Sequence, residues 1–368
     1  MKIIADSNIS LLEETFGNHG QITRVDGRHI SRSDLHGASA LLVRSVSQVD
    51  RRLLEGTGIR FVGTATIGTD HLDTGWLDES GIHWASAPGC NADAAAQYSL
   101  AMMWLACDRL NRKLLDQTVG IIGCGNVGSR LRMLLNTLGV QNVTCDPPLS
   151  DAGQQGLVNI ETALKQELIS LHVPLTKSGP YPTYQMLDAD LLSSLKDGTI
   201  LNNTSRAKVV NYNALRKELK NKRIHAALDV WPDEPLIDPE LLKTVTLATP
   251  HVAGYSIEGK QNGTLMIYRA FCRHFGLADQ SVPSNVSSQP VLNLRDIPDP
   301  IRHLLQRCCD VVADDTAMRQ LIPLSREQRA QKFDQLRKNY RLRRDFKAWR
   351  VSGASDQVRQ LTKQLGFQ

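Results

Sequence analysis

Over the first 90 residues the chain alternates short apolar runs with longer amphipathic stretches. The runs are KIIAD from Lys2, ALLVRS from Ala40 to Ser45, RFVGTAT from Arg60 to Thr66 and HWASAP from His83 to Pro88. Apolar runs of this length, separated by helix-sized segments, predict a parallel sheet with crossover helices. Asn91–Arg112 predicts one long helix whose Ala, Met and aromatic residues suit a core. A second series starts at Thr118, with strands predicted at Val119–Ile122, Val140–Cys145, Leu168–Val173, Thr199–Asn203, Ile224–Val230 and Thr246–Ala248. One sheet after another predicts two α/β lobes joined by hinges. Asp279–Pro290 is polar and rich in Ser and Pro, which reads as a linker. Beyond it, helices at Pro300–Val312 and Ser325–Tyr340, a strand at Phe346–Val351 and a helix from Ser355 ending near Gly366 predict a small further body with a limited core.

The turn after the first strand of the second series carries the most specific pattern. Gly123, Gly125 and Gly128 form G-x-G-x-x-G, with Asn126 and Val127 opening an amphipathic helix that runs through Leu138. In a βαβ unit the first glycine makes the turn, the second admits a pyrophosphate against the backbone, and the third lets helix and strand pack closely. The helix N-terminus adds unpaired N–H groups and a partial positive charge. Asp146 closes the next strand, where a carboxylate accepts hydrogen bonds from adenosine ribose hydroxyls and repels a 2′-phosphate. Pro147 and Pro148 follow it and bring no compensating cation. The expected cofactor is therefore NAD.

Three later loops follow predicted strands and carry reactive side chains: Asn202–Arg206, Asp229–Pro235 and Thr249–Tyr255. Arg206, Glu234 and His251 should emerge together at one edge of one sheet. Oxidising a carbinol beside a carboxylate needs a base for the hydroxyl proton, a cation for the carboxylate and a hydride acceptor. Histidine has the pKa for the base, and a carboxylate orients it and stabilises its protonated form. A planar arginine grips a carboxylate through two hydrogen bonds. In the first series the strand ends carry Arg44 and Ser45, then Gly63 through His71, where a small substrate of an open parallel sheet sits.

Composition removes other classes. Apolar residues at 41% and charged ones at 22% are those of a globular chain, not a disordered one. The first residues lack the charged and apolar regions of a signal peptide, and the apolar stretch Leu100–Cys107 is too short to span a bilayer. Seven cysteines without a C-x-x-C pair predict free thiols, a cytoplasmic setting and no metal site. From residue 281 onward there are 16 Lys and Arg against 9 Asp and Glu, so the net charge of +5 belongs to the C-terminal segment. No nucleic-acid-binding motif accompanies these charges, so a solvated or subunit-facing basic surface is expected, with no nucleic-acid or membrane partner.

The glycine motif, His172–Thr176 (HVPLT), NNTSRAKVVN, LDVWPDEP and TPHVAGY together resemble the D-isomer-specific 2-hydroxyacid dehydrogenases. LLVRSV, FVGTATIGTDHLD, APGCNA, CDPP and TPHVAGYSIEGK resemble the branch of that family that oxidises 4-phospho-D-erythronate to 2-oxo-3-hydroxy-4-phosphobutanoate on one route to pyridoxal 5′-phosphate. The resemblance implies an α/β fold of two doubly wound parallel-sheet lobes, plus a small C-terminal α+β domain. A Rossmann-like NAD lobe (91–255) would be inserted in a flavodoxin-like substrate lobe (1–90 and 256–280), and 290–368 would form the dimerisation domain of a homodimer. Carried across, Arg206, Glu234 and His251 are catalytic, and Arg44, Ser45, Thr66 and Tyr255 contact a small phosphorylated hydroxy acid. Gly123, Gly125, Asn126, Val127, Gly128, Asp146, Val173, Thr204, Ser205, Asp229 and Gly254 contact NAD. Phe346, Trp349 and Val351 are expected at the dimer contact, with Arg341, Arg343 and Arg344 toward its rim.

Two departures from the family pattern stand out. Ala207 replaces the usual glycine after the arginine, which matters if that position needs positive φ. Val173 stands where related enzymes often carry a hydroxyl. Two other readings remain at this stage: a dehydrogenase of another 2-hydroxy acid such as D-3-phosphoglycerate, and a non-enzymatic NAD-sensing protein. Asp146→Ala should weaken NAD binding relative to NADP, and an unchanged ratio of the two dissociation constants would remove Asp146 from cofactor choice.

Overall fold

The computed structural model describes residues 1–279 and 289–368, so the expected linker at Asp279–Pro290 falls almost wholly outside the described residues. The chain divides into two compact units, Met1–Asn91 with Ser256–Ser288 and Ala92–Tyr255 with Gln289–Gln368.

The first unit holds five strands, β1 (Lys2–Asp6), β2 (Gln21–Val25), β3 (Ala40–Val43), β4 (Phe61–Thr64) and β5 (His83–Ala85). All pair in parallel in the order β2-β1-β3-β4-β5, the flavodoxin-like doubly wound arrangement. β3 and β4 are buried at every position, as expected of strands covered on both faces. β2 has no counterpart in the sequence reading. As an edge strand it leaves most of Gln21–Val25 partly or wholly exposed, so its residues carry no continuous apolar run.

The second unit is built on six parallel strands: β6 (Val119–Ile122), β7 (Asn142–Cys145), β8 (Leu168–Leu171), β9 (Ile200–Asn203), β10 (His225–Leu228) and β11 (Leu247–Ala248). Their order is β11-β10-β9-β8-β6-β7, so the order reverses between β6 and β8. Helix Ala92–Arg109 lies at the centre of this unit. Fourteen of its 18 residues are buried, which is why it shows no polar stripe. It packs on helix Asn126–Thr137 and on helix Pro300–Cys309, which comes from the far end of the chain.

That last contact changes the picture of the C-terminal segment. Its expected helix Pro300–Val312 is two helices, Pro300–Cys309 and Val311–Arg319, broken where Asp310 takes φ 42° and caps the second. The expected strand Phe346–Val351 is a 3-10 turn at Phe346–Ala348 followed by β13 (Arg350–Ser352), which pairs in parallel with β12 (Val291–Asn293). Leu292, Leu304, Leu305, Phe346 and Phe367 share one apolar core with Tyr98, Leu100 and Met102. A short segment with little core of its own thus gains one by packing on the preceding lobe. Phe346 is fully buried, its ring centroid 4.5 Å from that of Phe367, and its N–H donates to Gln97 Oε1 at 3.1 Å. It therefore faces its own chain and is not available to a partner. Trp349 and Val351 are partly buried against the same core.

Some basic residues of this segment turn inward, although most, among them Arg307, Arg326, Lys332, Lys338 and Lys363, are exposed as a solvated or subunit-facing surface would have them. Arg343 is 5% exposed and donates to the carbonyls of Tyr255 (2.8 Å), Ala253 (2.5 Å) and Ala94 (3.3 Å), with its guanidinium carbon 4.7 Å from the Tyr98 ring centroid. Arg341 pairs with the buried Asp314 at 2.5 Å and donates to the Cys309 and Asp310 carbonyls. Arg319 donates to the Leu242 and Val245 carbonyls, and Asp315 beside it accepts from the Ala248 N–H at 2.8 Å and pairs with Arg109. Buried carbonyls need donors, and a guanidinium supplies several from one side chain.

Candidate active site

β9, β10 and β11 are neighbours in the sheet, and each delivers one of the three expected catalytic residues from its carboxyl end. After β9, the fully buried Asn203 folds the turn. Its Oδ1 accepts from the Ser205 N–H (3.0 Å) and hydroxyl (2.9 Å), and its Nδ2 donates to the Arg206 carbonyl at 3.0 Å. Arg206 emerges half-buried and donates to the Ser205 carbonyl. Ala207 opens a 3-10 turn and is absent from the positive-φ residues, so the missing glycine leaves the backbone unstrained.

After β10 comes Asp229, 0% exposed. Its carboxylate accepts from the Thr249 hydroxyl (2.5 Å) and from the N–H groups of Val252 and Ala253 (both 2.9 Å). Burial raises its pKa, against the opposing effects of His251, Thr249 and the two N–H groups. Asp229, expected as a cofactor contact, also grips the loop that carries His251. Within that loop His251 takes φ 57°, a left-handed conformation that costs a non-glycine residue about 1–2 kcal/mol. A typical hydrogen bond contributes about 0.5–1.5 kcal/mol net, so three of them on Asp229 suffice to hold it.

His251 Nδ1 lies 2.7 Å from Glu234 Oε2, and the Trp231 N–H donates to Glu234 Oε1 at 2.9 Å. Burial acts to raise the Glu234 pKa, but His251, Arg337 and the Trp231 N–H together hold the carboxyl below its ordinary value. An ionised Glu234 fixes the proton on His251 Nδ1 and leaves the Nε2 lone pair to accept one. This geometry is that of a general base with its orienting carboxylate.

The glycine loop fits a dinucleotide. Gly123 has φ 93°, and a Cβ on Gly128 would collide with the Gly123 carbonyl, while Gly125 faces open space. Gly125 is the N-cap of helix Asn126–Thr137 and makes no side-chain cap, so the first-turn N–H groups near Val127 can take a pyrophosphate. Asp146 Oδ2 accepts from the Cys124 N–H at 2.7 Å, and Oδ1 from the Leu149 N–H at 3.2 Å, which ties the glycine loop to the end of β7. Under the strand ends runs a polar chain. His172 Nε2 meets Ser170 Oγ (2.8 Å), Ser170 accepts from Asn202 Nδ2 (3.0 Å), and Ser99 Oγ meets both Asn202 (3.4 Å) and Thr204 Oγ1 (2.5 Å). Burial pushes the His172 pKa down to about 3, so the ring is a neutral structural link, with Val173 half-buried beyond it. Gly254 and Tyr255 follow His251, half-buried.

In the first unit Ser45 is exposed, and Thr66 Oγ1 joins Thr64 (2.7 Å), which joins His71 Nε2 (2.9 Å). Arg44 is paired with the fully buried Asp6 at 3.0 Å, a partner that the sequence did not suggest. The sequence reading also missed Arg337. Its Nη1 lies 3.6 Å from Glu234 Oε2 and its Nη2 donates to the Tyr255 hydroxyl at 3.3 Å. The available signal was spacing: Arg329, the fully buried Phe333 and Arg337 are four apart on helix Arg326–Lys338, hence on one face.

Sheet order, glycine loop and the Arg206, Glu234, His251 edge define an NAD-dependent dehydrogenase that acts on a CH–OH group. Residues 91–253 match the family described as D-isomer specific 2-hydroxyacid dehydrogenase, NAD binding domain, and residues 291–366 match a family described as a domain of unknown function. The erythronate-4-phosphate dehydrogenase of Marinobacter nauticus is 41% identical over 100% of this chain and 99% of its own, and that of Hahella chejuensis 43% identical over 94% and 93%. The chain belongs to the erythronate-4-phosphate dehydrogenases of the D-isomer-specific 2-hydroxyacid dehydrogenase family. Solved structures share the fold at lower identity. The NAD-bound 3-phosphoglycerate dehydrogenase of Entamoeba histolytica has a TM-score of 0.66 and 22% identity, covering 78% of this chain and 99% of its own. The D-lactate dehydrogenase of Aquifex aeolicus has a TM-score of 0.64 and 23% identity, covering 75% and 96%.

His251→Ala should lower kcat by about 10²–10⁴-fold, the usual contribution of a general base, and leave the NAD dissociation constant close to wild type. Arg206→Lys should also lose most of kcat/KM, because an ammonium cannot reproduce a two-point grip. Steady-state kinetics beside NAD titration decide both, and near-normal turnover in either variant would take that residue out of the reaction.

Proposed function

We propose that the protein oxidises 4-phospho-D-erythronate to 2-oxo-3-hydroxy-4-phosphobutanoate with NAD, in pyridoxal 5′-phosphate synthesis. The observation that carries the reaction type is the His251 Nδ1 to Glu234 Oε2 contact at 2.7 Å, on strands that adjoin the one delivering Arg206. His251 Nε2 accepts the hydroxyl proton as the carbon–hydrogen bond breaks, and Glu234 stabilises the imidazolium that forms. Arg206 holds the substrate carboxylate and the oxygen on which charge develops. Bound NAD supplies the hydride acceptor. The glycine loop would bind its pyrophosphate and Asp146 its adenosine ribose, with Val173, Thr204, Ser205, Asp229 and Gly254 as further contacts; Asp229 also holds the His251 loop.

The substrate assignment is supported by the names of the full-length relatives and by the Ser45 and Thr66 loops, with Tyr255 as a further contact. The cytoplasmic assignment rests on the seven buried free thiols. Among the described residues no helix is long and apolar enough to cross a membrane.

A homodimer through the C-terminal segment remains the proposed assembly, but its contact moves. Phe346 is inside the chain, whereas Leu342 is 80% exposed and Val312 43%. A large apolar side chain that open suits a symmetric contact. The purified protein should show the mass of two chains in solution and Leu342→Asp that of one, and a monomeric wild type would refute the assembly. The kcat/KM for 4-phospho-D-erythronate should exceed those for D-3-phosphoglycerate and D-lactate by about 100-fold or more, since a site built to hydrogen-bond one substrate leaves polar groups unpaired with another. An equal rate with D-3-phosphoglycerate would keep the family and sink the substrate.

A further inference from the structure

We propose that Arg337, on helix Arg326–Lys338 of the C-terminal segment, is a positioning residue for the Glu234–His251 pair: its guanidinium holds Glu234 ionised and turned toward His251. The inference rests on the hydroxyl-oxidation chemistry just proposed and assigns a role to the segment that matches a domain of unknown function.

Four observations place Arg337 there. Its side chain is 16% exposed and that of Glu234 17%, so water screens the charges poorly. The 3.6 Å separation from Glu234 Oε2 is too long for a good hydrogen bond and short enough for a strong field. Phe333, one turn earlier on the same helix, and Tyr255 each set a ring centroid 6.0 Å from the guanidinium carbon. Tyr255 further fixes the head by accepting from Nη2, whereas the buried Nε has no partner. A side chain kept for packing alone would not bring a cation into this position. Arg329, on the same face, donates to the carbonyls of Ile237, Leu321 and Leu324, so the helix is anchored beside the Glu234 loop by a neighbour with a different task.

The sign of the effect follows from the groups around the pair. Glu234 meets His251 from the loop after β11, the Trp231 N–H from its own loop and Arg337 from the C-terminal helix. Asp229, Tyr212 and Tyr255 are the other titratable groups close by. Arg337 is one of the groups that lower the Glu234 pKa, so the carboxyl stays ionised, and able to fix the proton on His251 Nδ1, to lower pH. Without the cation Glu234 protonates at higher pH, and the ionised orienting carboxylate is lost as pH falls through that raised value.

The test compares Arg337→Gln and Arg337→Lys with wild type, recording pH profiles of kcat/KM for 4-phospho-D-erythronate together with melting and NAD affinity. Arg337→Gln should move the acid limb up by about one pH unit, an approximately tenfold loss below the limb, with rates converging on wild type at high pH. Arg337→Lys, which keeps the charge, should bring the limb most of the way back. In a Glu234→Gln background the Arg337→Gln displacement should largely vanish, since the residue acts through that carboxylate. A folded Arg337→Gln enzyme with an unmoved limb overturns the proposal, as does an equal displacement with and without Glu234. If Arg337→Gln does not fold, Arg337→Met, which fills the space between Phe333 and Tyr255, is judged by the same displacement. Titration of the Glu234 carboxyl by NMR separates the two readings. If wild type leaves 4-phospho-D-erythronate unoxidised, the substrate assignment fails, while a higher Glu234 pKa in Arg337→Gln still supports the role of Arg337 and an unchanged one rejects it.

Discussion

The carboxylate of Asp229 is the constraint around which the catalytic edge is arranged. It is wholly buried at the end of β10, and it accepts from one hydroxyl and two backbone N–H groups of the next loop. Those bonds fix the path of Thr249–Ala253 and hold His251 left-handed, a conformation that an unrestrained histidine would leave. With the backbone so held, Nδ1 meets Glu234 and Nε2 is left unengaged by that carboxylate. A carboxyl sealed from water thus fixes where His251, the proposed proton acceptor, lies.

The second feature is how the molecule handles its basic C-terminal segment. Charges gathered in one stretch of sequence invite a surface reading, because burying an unpaired cation is costly. Most of these charges do stay exposed, but Arg319, Arg329, Arg341 and Arg343 are matched to carbonyl oxygens and acids that the packing of two segments would otherwise leave buried and unpaired. Arg319 takes the carbonyls before β11, Arg329 those flanking its helix, and Arg343 those of Ala253 and Tyr255. The guanidinium is suited to this, since it offers several donors in a fixed plane and stacks on rings such as Tyr98. The segment is accordingly continuous with the lobe that carries the chemistry, through shared core and shared hydrogen bonds.

Much of this protein was legible in the chain because its signals are local. The glycine spacing demands a particular turn, since Gly123 needs positive φ and Gly128 has no room for a Cβ. Inner strands such as β3, β6 and β8 are near-continuous apolar runs because helices cover both faces, and the reactive residues follow strand ends directly. Arg206, Glu234 and His251 were thus placed on one sheet edge before any fold was known. Tertiary structure decided what depends on distant partners. Edge strand β2 escaped notice because an exposed edge needs no apolar pattern. Arg44 met Asp6, Asp229 met the N–H groups of the His251 loop, and Phe346 turned inward to Phe367. Arg337 reached Glu234 from more than 100 residues away in sequence. Sequence spacing states which side chains share a helix face or a strand end, but which buried carbonyl or carboxylate lies opposite that face is set only when the segments pack.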